Sequence, residues 1–183
     1  MKPAIHYCIR CASPITRRVP EGDTLLRAVC PDCGHIHYEN PHMIVGCVAE
    51  SRGRILLCKR AIEPRLGYWT LPAGFMENGE TTGEAAARET LEEAGARIID
   101  SQPFALVSIA LLHQVHIYYR AALADENIAA GIESQEVGLF DENDIPWQDL
   151  AFQSVEFCLR RYLEDRRSVH FAFHSTDLIP MAR

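Results

Sequence analysis

The sequence predicts an α/β sandwich with a mixed sheet, preceded by a small cysteine-rich ribbon. Three observations carry this. β-rich runs precede, separate and follow two helical patterns. Four cysteines fall into two CxxC hooks within the first 33 residues. The length of 183 residues suits one domain of about 150 residues plus an appendage. The expected division is residues 1–38 and 39–183.

The hooks are Cys8-x2-Cys11 and, eighteen residues on, Cys30-x2-Cys33. Such spacing lets a ribbon enclose one tetrahedral Zn2+, and four thiolates leave no open position, so the zinc would be structural. Two redox CxxC pairs are the competing reading. Pro31 and Gly34 supply the second tight turn, with Gly34 expected to let amides face the sulfurs. The total of seven cysteines is odd, which argues against a secreted disulfide framework. Cys47, Cys58 and Cys158 lie in apolar runs and read as core.

The ribbon should end near Tyr38, and Asn40-Pro41 marks a break. His42 to Glu50 and Arg54 to Arg60 read as strands of a hairpin turning at Ser51-Arg52-Gly53. Trp69 to Leu71 is a short strand ended by Pro72. Thr82 to Ala94 reads as helix. Phe104 to Leu112, Val115 to Ala122 and Val137 to Phe140 read as strands. Ala151 to Asp165 is an amphipathic helix, with Phe152, Val155, Cys158, Leu159 and Tyr162 at helical spacing. Val169 to His174 is a candidate last strand.

Composition excludes several classes. Apolar residues make up 48% of the chain, an ordinary globular value. The net charge is −7; residues 1–40 carry five bases and four acids, so the excess of acid lies beyond them. No basic stripe suits a nucleic acid. The longest nearly apolar stretch, Phe104 to Leu112, is far short of the roughly 20 residues of a membrane helix. The start, MKPAIHYCIRCASP, has no apolar core of a signal peptide. The expectation is a cytoplasmic protein that takes a small molecule, with a homodimer left open.

The chemistry concentrates in GFMENGETTGEAAARETLEEAGA, Gly74 to Ala96. Thr81 and Glu84 form a capping box, and Gly95 suits the left-handed helix end. At about 100° per residue, Glu89, Glu92 and Glu93 share an arc of about 100°. Ala87, Leu91 and Ala94 fall on the opposite side and are expected to form the buried stripe. Arg88, four residues before Glu92, can pair with it. Clustered carboxylates repel, and hard oxygens on one face suit Mg2+ or Mn2+ shared with a substrate phosphate. The residues therefore point to a divalent-metal phosphoryl site, with the Gly74–Gly79 loop at its rim.

This segment resembles the Nudix box, G-x5-E-x7-R-E-U-x-E-E-x-G-U, where U is aliphatic. Gly74, Glu80, Arg88, Glu89, Glu92, Glu93 and Gly95 match in register; the small residues Thr90 and Ala96 stand at the U positions. The resemblance implies an α/β/α sandwich and hydrolysis of a nucleoside diphosphate linked to another moiety. It implies Glu89, Glu92, Glu93 and the Gly74 carbonyl as metal ligands, and Glu80 and Arg88 as supports of the loop and glutamates. Similar proteins place a glutamate just before a later strand as ligand or base. Glu136 is the first choice and Glu133 the second. A solvated surface loop is the bland reading of both.

Over nearly its whole length the chain resembles zinc-ribbon Nudix hydrolases of the ADP-ribose/FAD pyrophosphatase kind. The shared segments are the four cysteines, HYENP, LLCKRAIEPRLGYWTLPAGFMENGE and DIPWQDLAF. NADH pyrophosphatases are the alternative, but Ser101-Gln102-Pro103-Phe104 matches only the start of their later motif and lies close behind the box. A non-catalytic ribbon/Nudix nucleotide-binding module and an isomerase on the same fold are the other classes. The resemblance implies metal-assisted attack of water on the pyrophosphate, giving AMP and a phosphorylated remainder, with Glu136, Glu92 or Glu93 taking the proton. Trp69, Tyr68 and Phe75 are candidates to stack on a base, and each is as well suited to the core. Arg60 and Arg65 are candidate phosphate contacts, with surface solvation the blander reading. His113 and His116, expected on opposite strand faces, are unassigned.

Overall fold

The computed structural model describes residues 4–178 and divides into two compact units between Pro41 and His42. Residues 1–3, the first of the expected ribbon, and residues 179–183 of the expected second domain lie outside the described residues.

In the first unit, β1 (Thr16–Arg18), β2 (Arg27–Val29) and β3 (Ile36–His37) form a small antiparallel sheet. The two hooks turn alike. Ala12 and Gly34 both take positive φ, 60° and 71°, and their amides donate to the Cys8 and Cys30 carbonyls at 2.8 and 3.1 Å. Gly34 thus serves a backbone turn, while the amides facing sulfur are those of Arg10 and Cys33, 3.4 and 3.5 Å away.

The second unit is an α/β/α sandwich. Its elements are β4 (His42–Ser51), β5 (Arg54–Arg60), β6 (Trp69–Thr70), β7 (Ala73–Phe75), α1 (Thr82–Ala94), β8 (Ile98–Ile109), β9 (Gln114–Leu123), β10 (Ser134–Phe140), α2 (Gln153–Ser168) and β11 (His174–Asp177). The sheet order is β10-β5-β4-β9-β8-β11, with β6 on β5 and β7 on β4. The β4–β9 and β8–β11 pairs are parallel and the others antiparallel, so the sheet is mixed. β4 is buried on both faces. Val45, Cys47 and Ala49 join the core under α1, whereas Val48 joins the core under α2. Cys58 lies in the first core and Cys158 in the second, as expected.

Differences from the expected elements have local causes. β8 starts at Ile98, six residues early, through bulges around Asp100 and Pro103. β11 reaches only Ala105 to Ser108 of β8, so Pro103 loses no partner there. Ala110–Leu112 is a 3-10 turn, and His113 follows at positive φ; it is in a turn, not on a strand face. Val169 takes a left-handed conformation and ends α2, so the last strand begins at His174. Asp165 secures that passage, bonding the Ala172 amide at 2.9 Å and His174 Nε2 at 2.8 Å.

Candidate active site

The glutamate helix begins and ends as its sequence dictates. Thr81 and Glu84 exchange both capping-box bonds, and Gly95 closes the helix at φ 62°. Its buried face differs from the expected stripe. Ala85, Ala86, Glu89, Thr90, Glu93 and Ala94 face inward; Leu91 is exposed and Ala87 half-buried. The reason lies beneath the helix. Gly74 on β7 has no side chain, and a Cβ there would sit 2.4 Å from the Glu89 carboxylate oxygens. The bare backbone therefore leaves room for a carboxylate. Thr90 and Ala96 are fully buried, and Thr90 Oγ1 donates to the Ala86 carbonyl at 2.7 Å.

Arg88 joins the loop to the cluster. Its Nε and Nη2 grip both oxygens of Glu80 at 3.0 and 2.7 Å, and Nη2 also donates to the Phe75 carbonyl at 3.1 Å. Nη1 reaches Glu89 at 2.7 Å and Glu92 at 3.0 Å. Glu80 in turn accepts from the Glu77 amide at 2.7 Å. The Arg88 guanidinium holds the Glu80 pKa down to about 2. Glu93 is different: it is 6% exposed, and its carboxylate accepts, among the described residues, only a 3.3 Å bond from the Ala73 amide. Burial, reinforced by the Glu89 and Glu133 carboxylates, pushes its pKa up to about 8. Burial likewise raises that of Glu89 against the pull of Arg88.

A cavity of about 460 Å3 opens beside this group, with Gly74, Phe75, Glu93, Glu133, Arg60 and Arg65 among its lining residues. The structure thus brings Glu133 to the site. Glu136, the first choice from sequence, instead pairs with Lys59 at 3.7 Å and does not line the cavity. The resemblance puts this glutamate just before a strand; β10 begins at Ser134, so Glu133 precedes it and Glu136 lies within it, past a bulge. Trp69 is also placed elsewhere, edge-on to Phe140 at 4.8 Å and packed on the core, while Tyr68 lies under the Arg65 guanidinium at 5.2 Å. Phe75 and Arg65 do line the cavity. His116 lines it too, buried, with Nε2 on Gln114 Oε1 at 3.1 Å and Nδ1 without a partner among the described residues. Sequence reasoning overlooked Gly131, whose missing side chain lets its amide reach the Glu93 carbonyl at 3.0 Å; a Cβ there would meet the Glu92 carbonyl oxygen at 1.8 Å.

The glutamates and the Gly74 carbonyl offer hard oxygen donors only, and a cation would restore charge to buried Glu93; this chemistry fits Mg2+ or Mn2+. In the structure Glu89 and Glu92 are turned onto Arg88. Among the described residues, the four cysteines are the group whose donor atoms all lie within 4.8 Å of one another. Cys8 and Cys33 sulfurs are 3.6 Å apart, and Cys11 and Cys30 3.4 Å. A disulfide needs about 2.05 Å, so the four sulfurs are unbonded, at separations that suit the ligands of one metal ion.

An α/β/α sandwich with an acidic helix of this kind suits chemistry on phosphate anhydrides. Comparison with known proteins agrees: the NUDIX domain model matches residues 40–161 and the Nudix N-terminal model matches residues 6–39. The chain belongs to the Nudix family and carries its N-terminal zinc-ribbon domain. It is similar to the crystal structure of a Nudix hydrolase from Nitrosomonas europaea, with 48% identity and a TM-score of 0.91 over 95% of this chain and 100% of the other. It is 32% identical over 163 residues to the NAD-capped RNA hydrolase NudC of Chromobacterium violaceum, covering 87% of this chain and 58% of the relative. It is also 32% identical over 122 residues to the ADP-ribose pyrophosphatase of Methanocaldococcus jannaschii, covering 63% of this chain and 69% of the relative. The chain therefore spans little more than half the length of the NudC relative. No helix among the described residues is long and apolar enough to cross a membrane.

Proposed function

We propose that the chain hydrolyses the pyrophosphate bond of a nucleoside diphosphate linked to another moiety, with ADP-ribose and FAD as substrates. The observation that carries this is the packing of Glu89 against bare Gly74 and of Glu93 against the Ala73 amide, at the edge of a cavity that also holds Arg60 and Arg65. Glu89, Glu92, Glu93 and the Gly74 carbonyl would hold Mg2+ or Mn2+. Bound there, such an ion supplies charge neutralisation of the pyrophosphate and a lowered pKa for a coordinated water. Arg88, braced by Glu80, orients Glu89 and Glu92. Glu133, at the cavity, takes the proton as water oxygen bonds to phosphorus and the bridging P–O bond breaks. Phe75 and Arg65 contact substrate. Cys8, Cys11, Cys30 and Cys33 hold a structural Zn2+. The units act as a ribbon over residues 1–38 and a hydrolase domain over 39–183, in a cytoplasmic protein that is compatible with a homodimer.

A second reading, hydrolysis of NADH or an NAD-linked substrate, is favoured by the similarity to NudC. Residues 101–104, which only begin the matching motif, lie in β8, where Gln102 accepts from Arg120. Incubating the protein with ADP-ribose, FAD, NADH and NAD-capped RNA in Mg2+ or Mn2+ tests both. AMP with ribose 5-phosphate, or AMP with FMN, supports the first reading. Preferred cleavage of the NAD-linked substrates supports the second, and inorganic phosphate as the first product defeats both.

A further inference from the structure

His116 is a buried imidazole that the proposed hydrolysis leaves unused. It is 8% exposed and lines the cavity, and its Nδ1 is buried with no partner among the described residues. Burial holds its pKa down to about 4, so near neutral pH the ring is uncharged and carries one proton. On Nδ1 that proton would be a buried donor with nothing to receive it, which costs more than a bare acceptor there. The proton therefore sits on Nε2, which lies 3.1 Å from Gln114 Oε1 and donates to it.

The consequence falls on Gln114. The two residues stand two positions apart on β9, on one face of the strand, and both line the cavity. With His116 donating to Oε1, the carboxamide of Gln114 cannot turn over, because its NH2 group would then meet the Nε2–H. The NH2 group has no partner among the described residues. Beside it, the second lone pair of Oε1 is also free to accept. The amide thus offers one donor and one acceptor, side by side and in a fixed order. Ile44, Ile109, Leu112 and Leu178 line the same cavity, and Ile109 pairs with Gln114 across the β8–β9 ladder. Apolar walls with one polar edge suit a flat heteroaromatic ring better than a ribose, whose hydroxyls all need partners.

We propose that Gln114 is a specificity-determining residue that reads the base of the nucleotide, and that His116 is its positioning residue, fixing the amide in the order that matches adenine. Adenine carries an exocyclic amino donor beside ring-nitrogen acceptors, the complement of the Gln114 amide. Guanine and hypoxanthine carry a carbonyl oxygen in place of that amino group, and it would face Oε1 with no hydrogen between them. This rests on the pyrophosphohydrolase reading above and deepens it by naming the base.

The test compares steady-state hydrolysis of ADP-ribose and of its hypoxanthine counterpart, IDP-ribose, in Mg2+. The proteins are the wild type, Gln114→Leu, His116→Phe and the double variant, with thermal melts of each. The wild type is expected to favour ADP-ribose in kcat/KM by about tenfold to 100-fold. Gln114→Leu should bring that ratio to within about threefold of unity, chiefly by raising KM for ADP-ribose. His116→Phe should lower the ratio too, because the freed amide can turn over and meet either base. The double variant should match Gln114→Leu, since the histidine acts only through the amide. Equal use of both substrates by the wild type overturns the proposal, as does an unchanged ratio in folded Gln114→Leu. An unchanged ratio in folded His116→Phe overturns the positioning role. If the wild type hydrolyses neither ADP-ribose nor FAD, the functional reading fails by itself. Titration calorimetry with AMP and IMP in Mg2+ then still decides Gln114, supporting it if a preference for AMP is lost in Gln114→Leu and overturning it if the wild type binds the two alike.

Discussion

A Cβ on Gly74 would lie 2.4 Å from both carboxylate oxygens of Glu89. The glycine is thus required by a side chain on a helix, fifteen positions later in the sequence. Gly74→Ala is expected to push Glu89 outward and break its 2.7 Å bond to Arg88. The displaced carboxylate is the far end of a flexible side chain, so the loss of stability should be modest, about 1 to 2 kcal/mol. Hydrolysis should fall by at least about 100-fold, because a metal-binding oxygen set tolerates little displacement. Melting curves beside steady-state rates check both, and a fully active Ala variant would show that the contact has no bearing on the site.

Arg88 touches Glu80, Glu89, Glu92 and the Phe75 carbonyl at once. Lysine carries the same charge but only one nitrogen, so Arg88→Lys cannot keep all four. Turnover should drop by about tenfold or more, and combining it with Glu80→Gln should add much less than Glu80→Gln does alone. Additive losses in that cycle would show that Glu80 acts independently of Arg88.

Glu93→Gln removes the charge that the site disfavours most in the absence of metal. Without divalent ions the variant should be as stable as the wild type or more stable, by a few tenths to about 1 kcal/mol. Mg2+ binds only the folded site, so adding it should restore the wild-type advantage. Turnover should fall by at least about 100-fold. Paired melts with and without Mg2+ report the reversal, and its absence would count against Glu93 as a ligand.

Much of this site could be read from the chain, and the failures are instructive. Helix α1 keeps its expected limits of Thr82 and Ala94 because both ends are encoded locally, by the Thr81–Glu84 box and Gly95. The hairpin at Arg52-Gly53 is legible for the same reason, both residues taking positive φ. The face that α1 buries is not legible. Hydrophobic periodicity turns carboxylates outward, whereas bare Gly74 makes room for Glu89 and the Ala73 amide receives Glu93, while Leu91 is exposed. Glu136 is the choice while the strand is expected to start at Val137; pairing with β5 extends it back to Ser134, so Glu133 is the residue before it. Gly131 acts through Glu92 and Glu93, far away in sequence, so no local pattern announces it.

The two cysteine hooks offer a prediction for the ribbon. Ala12 occupies the left-handed turn that Gly34 occupies in the second hook, and both make the same backbone bond. An alanine there carries strain of about 1 kcal/mol that glycine lacks. Ala12→Gly should therefore stabilise the ribbon slightly and slow metal loss to a chelator. Metal content and release, followed with a thiol-compatible zinc indicator, check this; faster release in the variant would overturn it.

His116 should make stability depend on pH. It is 8% exposed, and burial holds its pKa down to about 4 from an ordinary 6.5. Tyr118, with its ring 6.2 Å away, and Gln114 are its polar neighbours among the described contacts. In the unfolded chain the imidazole takes up a proton below about pH 6.5, whereas in the fold it resists protonation until about pH 4. Between these values the unfolded state binds more protons, so stability is lost as pH falls. Above pH 6.5 both states are neutral and the residue adds no pH dependence. The loss should approach about 3 kcal/mol at the lower end. Carboxylates also titrate in this range, so the measured quantity is the difference between the wild type and His116→Phe, which has no proton to gain. Denaturant unfolding of both proteins at pH 7.5, 6 and 5 should show the wild type losing ground steadily to the variant. Parallel curves across that range would mean that His116 protonates within the fold as easily as outside it.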